Sequence, residues 1–310
     1  MSPLLLTVIQ LLSTALLAPL AFGLIRYFKA RISGRTGMNP FLIYAQLLLG
    51  LKKENLLPPT SSWAFKTAPY VVLSSSIFLA LSLPLVVLGG AGANYSHFLL
   101  FVGVLAFSGA FHAFGAIDAG GVMGGMGASR HMLIMCLSQP TLILVFLALA
   151  IRADTSLIDG MIMGAGVFGG PSFVLAALAL MLIGLAENDR YPADNPETSL
   201  ELTMIREAMV FHYSGPYLVM MDYAAMLKLV TFFLLVTNIL SPFGLMTAES
   251  GVLGILLAAL LAVVKVLLAS LAVAIFESVV AKMRFYRLQE FLSGAFFIAF
   301  AAFALALVMP

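Results

Sequence analysis

Long uncharged apolar runs alternate with short polar segments along the whole chain. Runs of about 18 or more apolar residues have the length of a bilayer-crossing helix. Eight stretches meet or nearly meet it: about Leu4–Ile25, Ala68–Leu88, Phe98–Ile117, Met132–Ile151, Met161–Ala186, Tyr223–Leu240, Val252–Phe276 and Phe291–Met309. Backbone groups cannot stay unpaired in hydrocarbon, so such runs form helices. The every-second-residue polarity of a membrane barrel is absent. The first run has too long an apolar core, no Lys or Arg ahead of it and no small-residue cleavage site, so it is read as a span, not a signal peptide. The pattern predicts an all-α membrane protein, residues 1–310 forming one integral domain of eight transmembrane helices.

The polar segments test that count. Loops after the first, third, fifth and seventh spans hold 7, 1, 2 and 3 Lys or Arg, against 0, 1 and 0 in the others. By the positive-inside rule the odd loops are cytoplasmic and both termini lie outside, in a multi-pass protein of the cytoplasmic (inner) membrane. The two long loops, residues 26–66 and 187–222, both fall on the cytoplasmic side, where a partner would dock. Composition agrees: 62% of residues are hydrophobic and 10% charged, with mean hydropathy +1.08, far from a soluble domain. A net charge of +2 is too small to suggest nucleic-acid binding. The single cysteine, Cys136, excludes an internal disulfide or a Cys-ligated cluster, and four histidines add little capacity for a metal site.

Within the first long loop, Asn39-Pro40 starts a helix that Pro58-Pro59 should stop. It is too short to span and too apolar to float, so it is expected to lie amphipathically in the membrane interface. The second long loop concentrates Glu187, Asp189, Asp194, Glu197, Glu201 and Glu207 against Arg190 and Arg206. Thr198 and Glu201 form a capping box, with Glu197 and Glu201 one turn apart. Crowded carboxylates beside a membrane raise one another's proton affinity, as a proton relay requires; a solvated acidic face for a basic partner fits the same residues. The glycine-rich Asp118–Arg130 segment matches no phosphate-binding motif and reads as a turn for close packing, with Asp118 and Arg130 placed to pair across it. Lys228 and Lys265 lie inside spans. Asp222 and Glu277 mark the cytoplasmic ends of the sixth and seventh spans. Lysine is costly at membrane depth, so Lys265, near the middle of its run, is a coupling candidate; snorkelling to the interface accounts for Lys228 equally well.

Three stretches resemble subunit 1 of respiratory NADH dehydrogenase and its relative, membrane subunit 4 of formate hydrogenlyase and hydrogenase-4-type complexes. They are GRTGMNP at 34–40 with the following helix and Lys52-Lys53-Glu54; Asp118 through GGMGASR at 124–130; and PADNPETSLELTMIREAMV at 192–210 with Tyr213-Ser214-Gly215 and Asp222-Tyr223-Ala224. The wording of the second and third stretches is closer to the hydrogenase branch. The resemblance implies a subunit without a metal centre of its own, joining a peripheral redox arm to an ion-translocating membrane arm. By motif position Arg35, Arg130, Asp194, Glu197, Glu201 and Glu207 are similar to that family's charged set, and Arg284 and Arg287 to its last basic cluster. Taken with the charges read from the loops and spans, proton relay or coupling is expected at Asp194, Glu197, Glu201, Glu207, His212, Asp222, Lys228 and Lys265. Docking or loop roles are expected at Arg35, Asp118, Arg130, His131, Glu187, Arg190, Arg284 and Arg287. His131, Gln139 and His212 stand where that family commonly has Glu.

The function expected is therefore that of a non-catalytic membrane subunit of an energy-converting oxidoreductase. Its partners would be a cluster-bearing small subunit and a catalytic large subunit on the cytoplasmic side, antiporter-like membrane subunits, and lipid. Iron–sulfur clusters and a nickel–iron centre would belong to the partners, and no cofactor to this chain alone, with quinone left open. The alternatives are the quinone-site subunit of a respiratory NADH dehydrogenase and a free-standing secondary transporter.

Overall fold

The computed structural model describes residues 3–86, 88, 95–164, 170–194, 204–245, 251–280 and 285–308. Among them are eleven helices: α1 (Pro3–Ile32), α2 (Leu42–Leu51), α3 (Trp63–Ser82), α4 (Phe98–Asp118), α5 (Val122–Ala153), α6 (Ile158–Gly164), α7 (Pro171–Glu187), α8 (Arg206–Val210), α9 (Gly215–Leu240), α10 (Gly251–Val279) and α11 (Phe285–Val308). The described residues form no strand, only an isolated bridge between His97 and Leu157. Seven helices (α1, α3, α4, α5, α9, α10 and α11) are long and apolar enough to cross a membrane. This is a multi-pass membrane protein.

The eighth expected run differs. The single span drawn over Met161–Ala186 is instead two helices, α6 and α7, with Gly170 between them at φ +96°. A proline has no N–H to donate and disfavours the helical region for the residue before it, so Gly170-Pro171 starts a helix and does not continue one. The 17 residues of α7 extend roughly 25 Å, short of a hydrocarbon core of about 30 Å. Even so, α7 runs between the two ends of the bundle. Its start lies by Arg152, whose Nη1 donates to Ser172 Oγ at 3.1 Å, and its last residue lies by Lys228.

Helices α3, α4, α5, α7 and α9 pack around a common interior, α1 and α10 cover the α9 side, and α11 lies across α5 and α7. In one half of that interior Phe101 meets Phe146 and Phe232 at ring separations of 5.5 and 5.8 Å. All three are buried, and they form an aromatic cluster. The other half, at the end carrying α2 and α8, is polar. We call this the loop end.

Two expected boundaries move. The helix after Asn39-Pro40 exists, and Asn39 Oδ1 does accept the Phe41 N–H at 3.1 Å. It stops at Leu51, well before Pro58-Pro59. Helix α5 starts ten residues before the expected Met132, so much of the glycine-rich turn is helix. Only Gly120, at φ +71°, needs the turn conformation. The other glycines serve approach: a Cβ at Gly124 would lie against the Ala116 carbonyl, and one at Gly127 would sit 2.8 Å from the Ala208 Cβ. Asp118 and Arg130 do not pair. Asp118 accepts the Ser62 N–H and hydroxyl, each at 2.7 Å, and the Phe65 N–H at 3.0 Å, which ties the start of α3 to the end of α4.

This packing predicts a contrast between neighbouring glycines. Gly124→Val should lower stability by about 1–3 kcal/mol through overpacking. Gly125→Ala, with no heavy atom within 4 Å of the new Cβ, should be neutral or gain up to about 1 kcal/mol in helix propensity. Thermal unfolding of the two purified variants against the parent checks it.

Candidate functional site: a buried charge array at the loop end

The array starts from the end of α7. Glu187 is its last residue and only 5% exposed. Its Oε1 accepts the Ser138 hydroxyl at 2.5 Å and the Gln139 side-chain N–H at 3.2 Å, both from α5. From α9, Lys228 Nζ stands 3.8 Å from Glu187 Oε2 and also donates to the Glu187 backbone carbonyl. One ammonium thus serves the carboxylate and the negative end of the helix dipole together.

Beyond α7 the chain turns sharply, with Asp189 at φ +51°. Arg190 is 3% exposed; its Nη1 lies 3.5 Å from Glu277 Oε1 on α10, and Lys29 of α1 reaches Glu277 Oε2 at 3.3 Å. Burial, only partly offset by Glu277, weakens the hold of Arg190 on its proton. Asp194 is 1% exposed and caps α8, accepting the Ile205 and Arg206 N–H groups at 2.9 and 3.1 Å. Arg206 then pairs with Asp222 at 2.6 Å. Burial opposes the Arg206 charge, but Asp222, then Asp189 and Glu207, outweigh it and raise its proton affinity.

Two cavities flank this array, and Arg206 lines both. The larger, about 500 Å³, opens at the loop end between α1, α2 and α9 and is lined by Arg26, Lys53, Glu207, Tyr213 and Asp222 among others. Burial pushes the Glu207 carboxyl upward, Arg206 opposing. Burial also raises the proton affinity of Tyr213, whose ring stacks on Phe65 at 4.0 Å. The inner cavity, about 30 Å³, lies among α3, α4, α5 and α9 and is lined by His112, His131, Glu187, Asp189 and Lys228. A third, apolar cavity of about 510 Å³ lies between α1, α2 and α9 and shares Leu47 and Val219 with the first.

The carboxylate with the clearest relay chemistry is Asp189. Among the described residues its side chain makes no hydrogen bond or ion pair, and it is 6% exposed. Burial raises its pKa from 3.8 to about 6; Lys228 and Arg206 oppose the shift, and Asp194 and Glu187 add to it. It therefore changes protonation close to neutral pH.

The candidates chosen from sequence divide as follows. Glu187, Arg190, Asp194, Arg206, Glu207, Asp222 and Lys228 form one connected array, and His131 faces its inner cavity. Lys265 stands apart. Its Nζ donates to Asn238 Oδ1 at 2.7 Å and to the Ser241 carbonyl at 2.9 Å, closing the end of α9 remote from Lys228. Asn238 in turn donates to the Pro84 and Leu85 carbonyls. His212 packs over Gly121 and lines neither polar cavity. Arg130 donates to the Met204 carbonyl at 3.0 Å. Arg35 and Arg287 are exposed. Glu197, Glu201 and Arg284, with the Thr198 capping box, lie outside the described residues.

Residues 4–309 match the profile of the family described as NADH dehydrogenase. The chain belongs to this family. Hydrogenase-4 component C of Escherichia coli (strain K12) is 30% identical over 273 residues, which span 87% of this chain and 85% of that protein. Formate hydrogenlyase subunit 4 of the same strain is 27% identical over 299 residues, 95% of this chain and 96% of that one. The fold also matches a chain of the membrane-bound sulfane sulfur reductase, an archaeal respiratory membrane complex. The TM-score is 0.83 at 19% identity, over 98% of this chain and 99% of that one. The family resemblance carried by the acidic loop therefore holds over nearly the full length.

Within this NADH dehydrogenase family member, sequence reasoning missed two site residues. His112 sits in an apolar run with nothing local to mark it. Asp189 looked like one more charge in an acidic stretch; its neighbours Glu187 and Arg190, both partnered, gave no sign that it alone is buried unpaired.

Two predictions follow the geometry. The folded Asp189 carboxyl keeps its proton up to about pH 6, whereas the unfolded one releases it near 3.8. Between these values the native state binds more protons, so stability falls as pH rises, by roughly 3 kcal/mol in all. Asp189→Asn should flatten thermal stability over that window and be the more stable protein at pH 7. Secondly, Lys228→Met strands a buried carboxylate and should destabilise by about 3–5 kcal/mol. The double variant with Glu187→Gln should recover part of the loss in the same melting assay.

Proposed function

We propose that this chain is the membrane subunit of an energy-converting oxidoreductase of the hydrogenase-4 or formate hydrogenlyase type. Its loop end faces the cytoplasm and seats an electron-transfer protein carrying iron–sulfur clusters; its buried charges couple the redox step to movement of protons or sodium. Alpha-helix seven counts as the eighth crossing in this reading, with both termini outside the inner membrane. Both the thirteen-to-one distribution of loop Lys and Arg and the likeness to hydrogenase-4 component C support it. The catalytic large subunit and antiporter-like neighbours belong to the same reading.

The observation that carries it is the placing of Arg206 in the walls of two cavities, one open at the loop end and one buried beside Asp189. A charge or proton arriving in the first cavity alters the competition between Asp222 and Asp189 for that guanidinium. The array thus links an event at the docking end to the protonation of a group inside the bundle. Neutral apolar packing would do the structural work more cheaply.

A second reading has its own support. The cavity at the loop end abuts the apolar one, and together they offer a charged recess and a greasy approach of the sort a quinone headgroup and tail need. On that reading the chain is the quinone-site subunit of a respiratory NADH dehydrogenase-like enzyme. Photoaffinity labelling with a quinone analogue discriminates: labels on Leu47 or Val219 favour it.

The principal reading predicts that mild-detergent purification from native membranes brings down a polypeptide with an iron–sulfur electron paramagnetic resonance signal. Glu187→Gln should keep electron transfer in such membranes and reduce ion-gradient formation at least tenfold. Purification of the chain alone would overturn the proposal, as would a Glu187→Gln complex that builds a normal gradient.

A further inference from the structure

The inner cavity contains chemistry that the array does not use. His112 on α4 and His131 on α5 face one another there, ring centroids 5.7 Å apart and planes at 58°. His131 is 5% exposed. Among the described residues, both of its ring nitrogens, and Nε2 of His112, are buried without a hydrogen-bond partner. Gly109 makes the space: a Cβ there would come within 3.2 Å of His131 Nε2.

A neutral imidazole has one donor and one acceptor, and leaving either unmet when buried is unfavourable. Something polar must satisfy three nitrogens. The cavity, about 30 Å³, has room for one or two waters at roughly 10–15 Å³ each, and for nothing larger. Its polar walls supply the remaining partners: Ser76 from α3, Ser108 from α4, Glu187 and Asp189 at the end of α7, Arg206 from α8 and Lys228 from α9. Among the described residues no three His, Cys, Asp or Glu gather as a metal-binding group. Two cations in the walls also disfavour a metal ion.

We propose that this cavity binds water that joins His131 and His112 into an imidazole relay for protons, continuous with the Glu187–Asp189–Lys228 charges. It rests on the reading that the chain couples redox chemistry to ion movement, and names the groups that hold the proton inside the bundle. A protonated carboxyl at Asp189 gives its proton to the water, which passes one to the unprotonated nitrogen of His131. The proton on the other His131 nitrogen leaves through water to His112. One proton is displaced, no electrons move, and the ring resets by exchanging which nitrogen is protonated. Imidazole is suited to this because it accepts at one atom and donates from another. The buried rings of Phe101, Phe146 and Phe232 pack in the far half of the interior.

The test uses inverted vesicles from cells making the assembled complex, with electron-transfer turnover and gradient formation measured together. His131→Gln and His112→Gln should retain turnover and lose at least nine-tenths of the gradient per turnover. His131→Glu, another proton carrier, should recover a substantial part. If both Gln variants build a normal gradient, the relay is wrong while the coupling reading stands. If the parent complex builds none, it is the coupling reading that fails. Independent of activity, and of whether a variant assembles, a high-resolution structure of the parent complex should show water within hydrogen-bond reach of His131. A dry cavity would overturn the proposal.

Discussion

A charge inside a bilayer-spanning bundle must have a partner, and most of the loop end is arranged by that requirement. Lys228 is where it begins. The same ammonium neutralises Glu187 and closes the carbonyl end of α7, so α7 is held against α9 at a fixed height. Once α7 is fixed, the residues just after it, Asn188 to Asp194, are held against the bundle. Arg190 must meet Glu277, Asp194 must cap α8, and Arg206 must find Asp222. Each pairing ties a described residue of the segment to a helix, and Arg190, Asp194 and Arg206 are all buried.

The helices were legible in the sequence because membrane length is a coarse signal that composition alone satisfies. Boundaries were less so. A window of apolar residues does not register that Gly170-Pro171 interrupts a run, or that glycines at 124–127 serve helix packing as well as turns. The acidic loop was recognisable as the site, and six of its charged residues gather at the loop end with Lys228 of α9. Which carboxylate would titrate was not recognisable, because that depends on what lies opposite. Glu187 and Asp189 are two residues apart with identical local sequence signals, yet one has three polar partners and the other none. Lys265 illustrates the converse. Mid-span lysine suggested an ion site, but its partners are an amide and a backbone carbonyl at the end of α9, the same helix-capping task that Lys228 performs on α7.

The interior is also divided along its length. Aromatic packing of Phe101, Phe146 and Phe232 fills part of one half, while the other half holds two histidines, two acids and two bases around a space for water. Such a division suits a subunit that receives charge from one end and must not leak protons to the other. The aromatic half supplies low dielectric; the other half supplies the titratable groups.

Coupling in this arrangement is a matter of magnitude. A unit charge about 5–10 Å away, at an effective dielectric near 20, changes an electrostatic energy by roughly 2–3 kcal/mol, or about two pKa units. Asp189 already sits at about 6. Under the proposed function, a negative charge appearing in the loop-end cavity would draw Arg206 away from Asp189, move the Asp189 carboxyl up through neutrality and protonate it. Removal of that charge reverses the shift and releases the proton into the inner cavity. In that reading no large conformational change is required, only a guanidinium paired with Asp222 that also acts through space on Asp189. Under the proposed function the array needs both acids: Asp222, partly open to the outer cavity, would sense the arriving charge, and buried Asp189 would store the response.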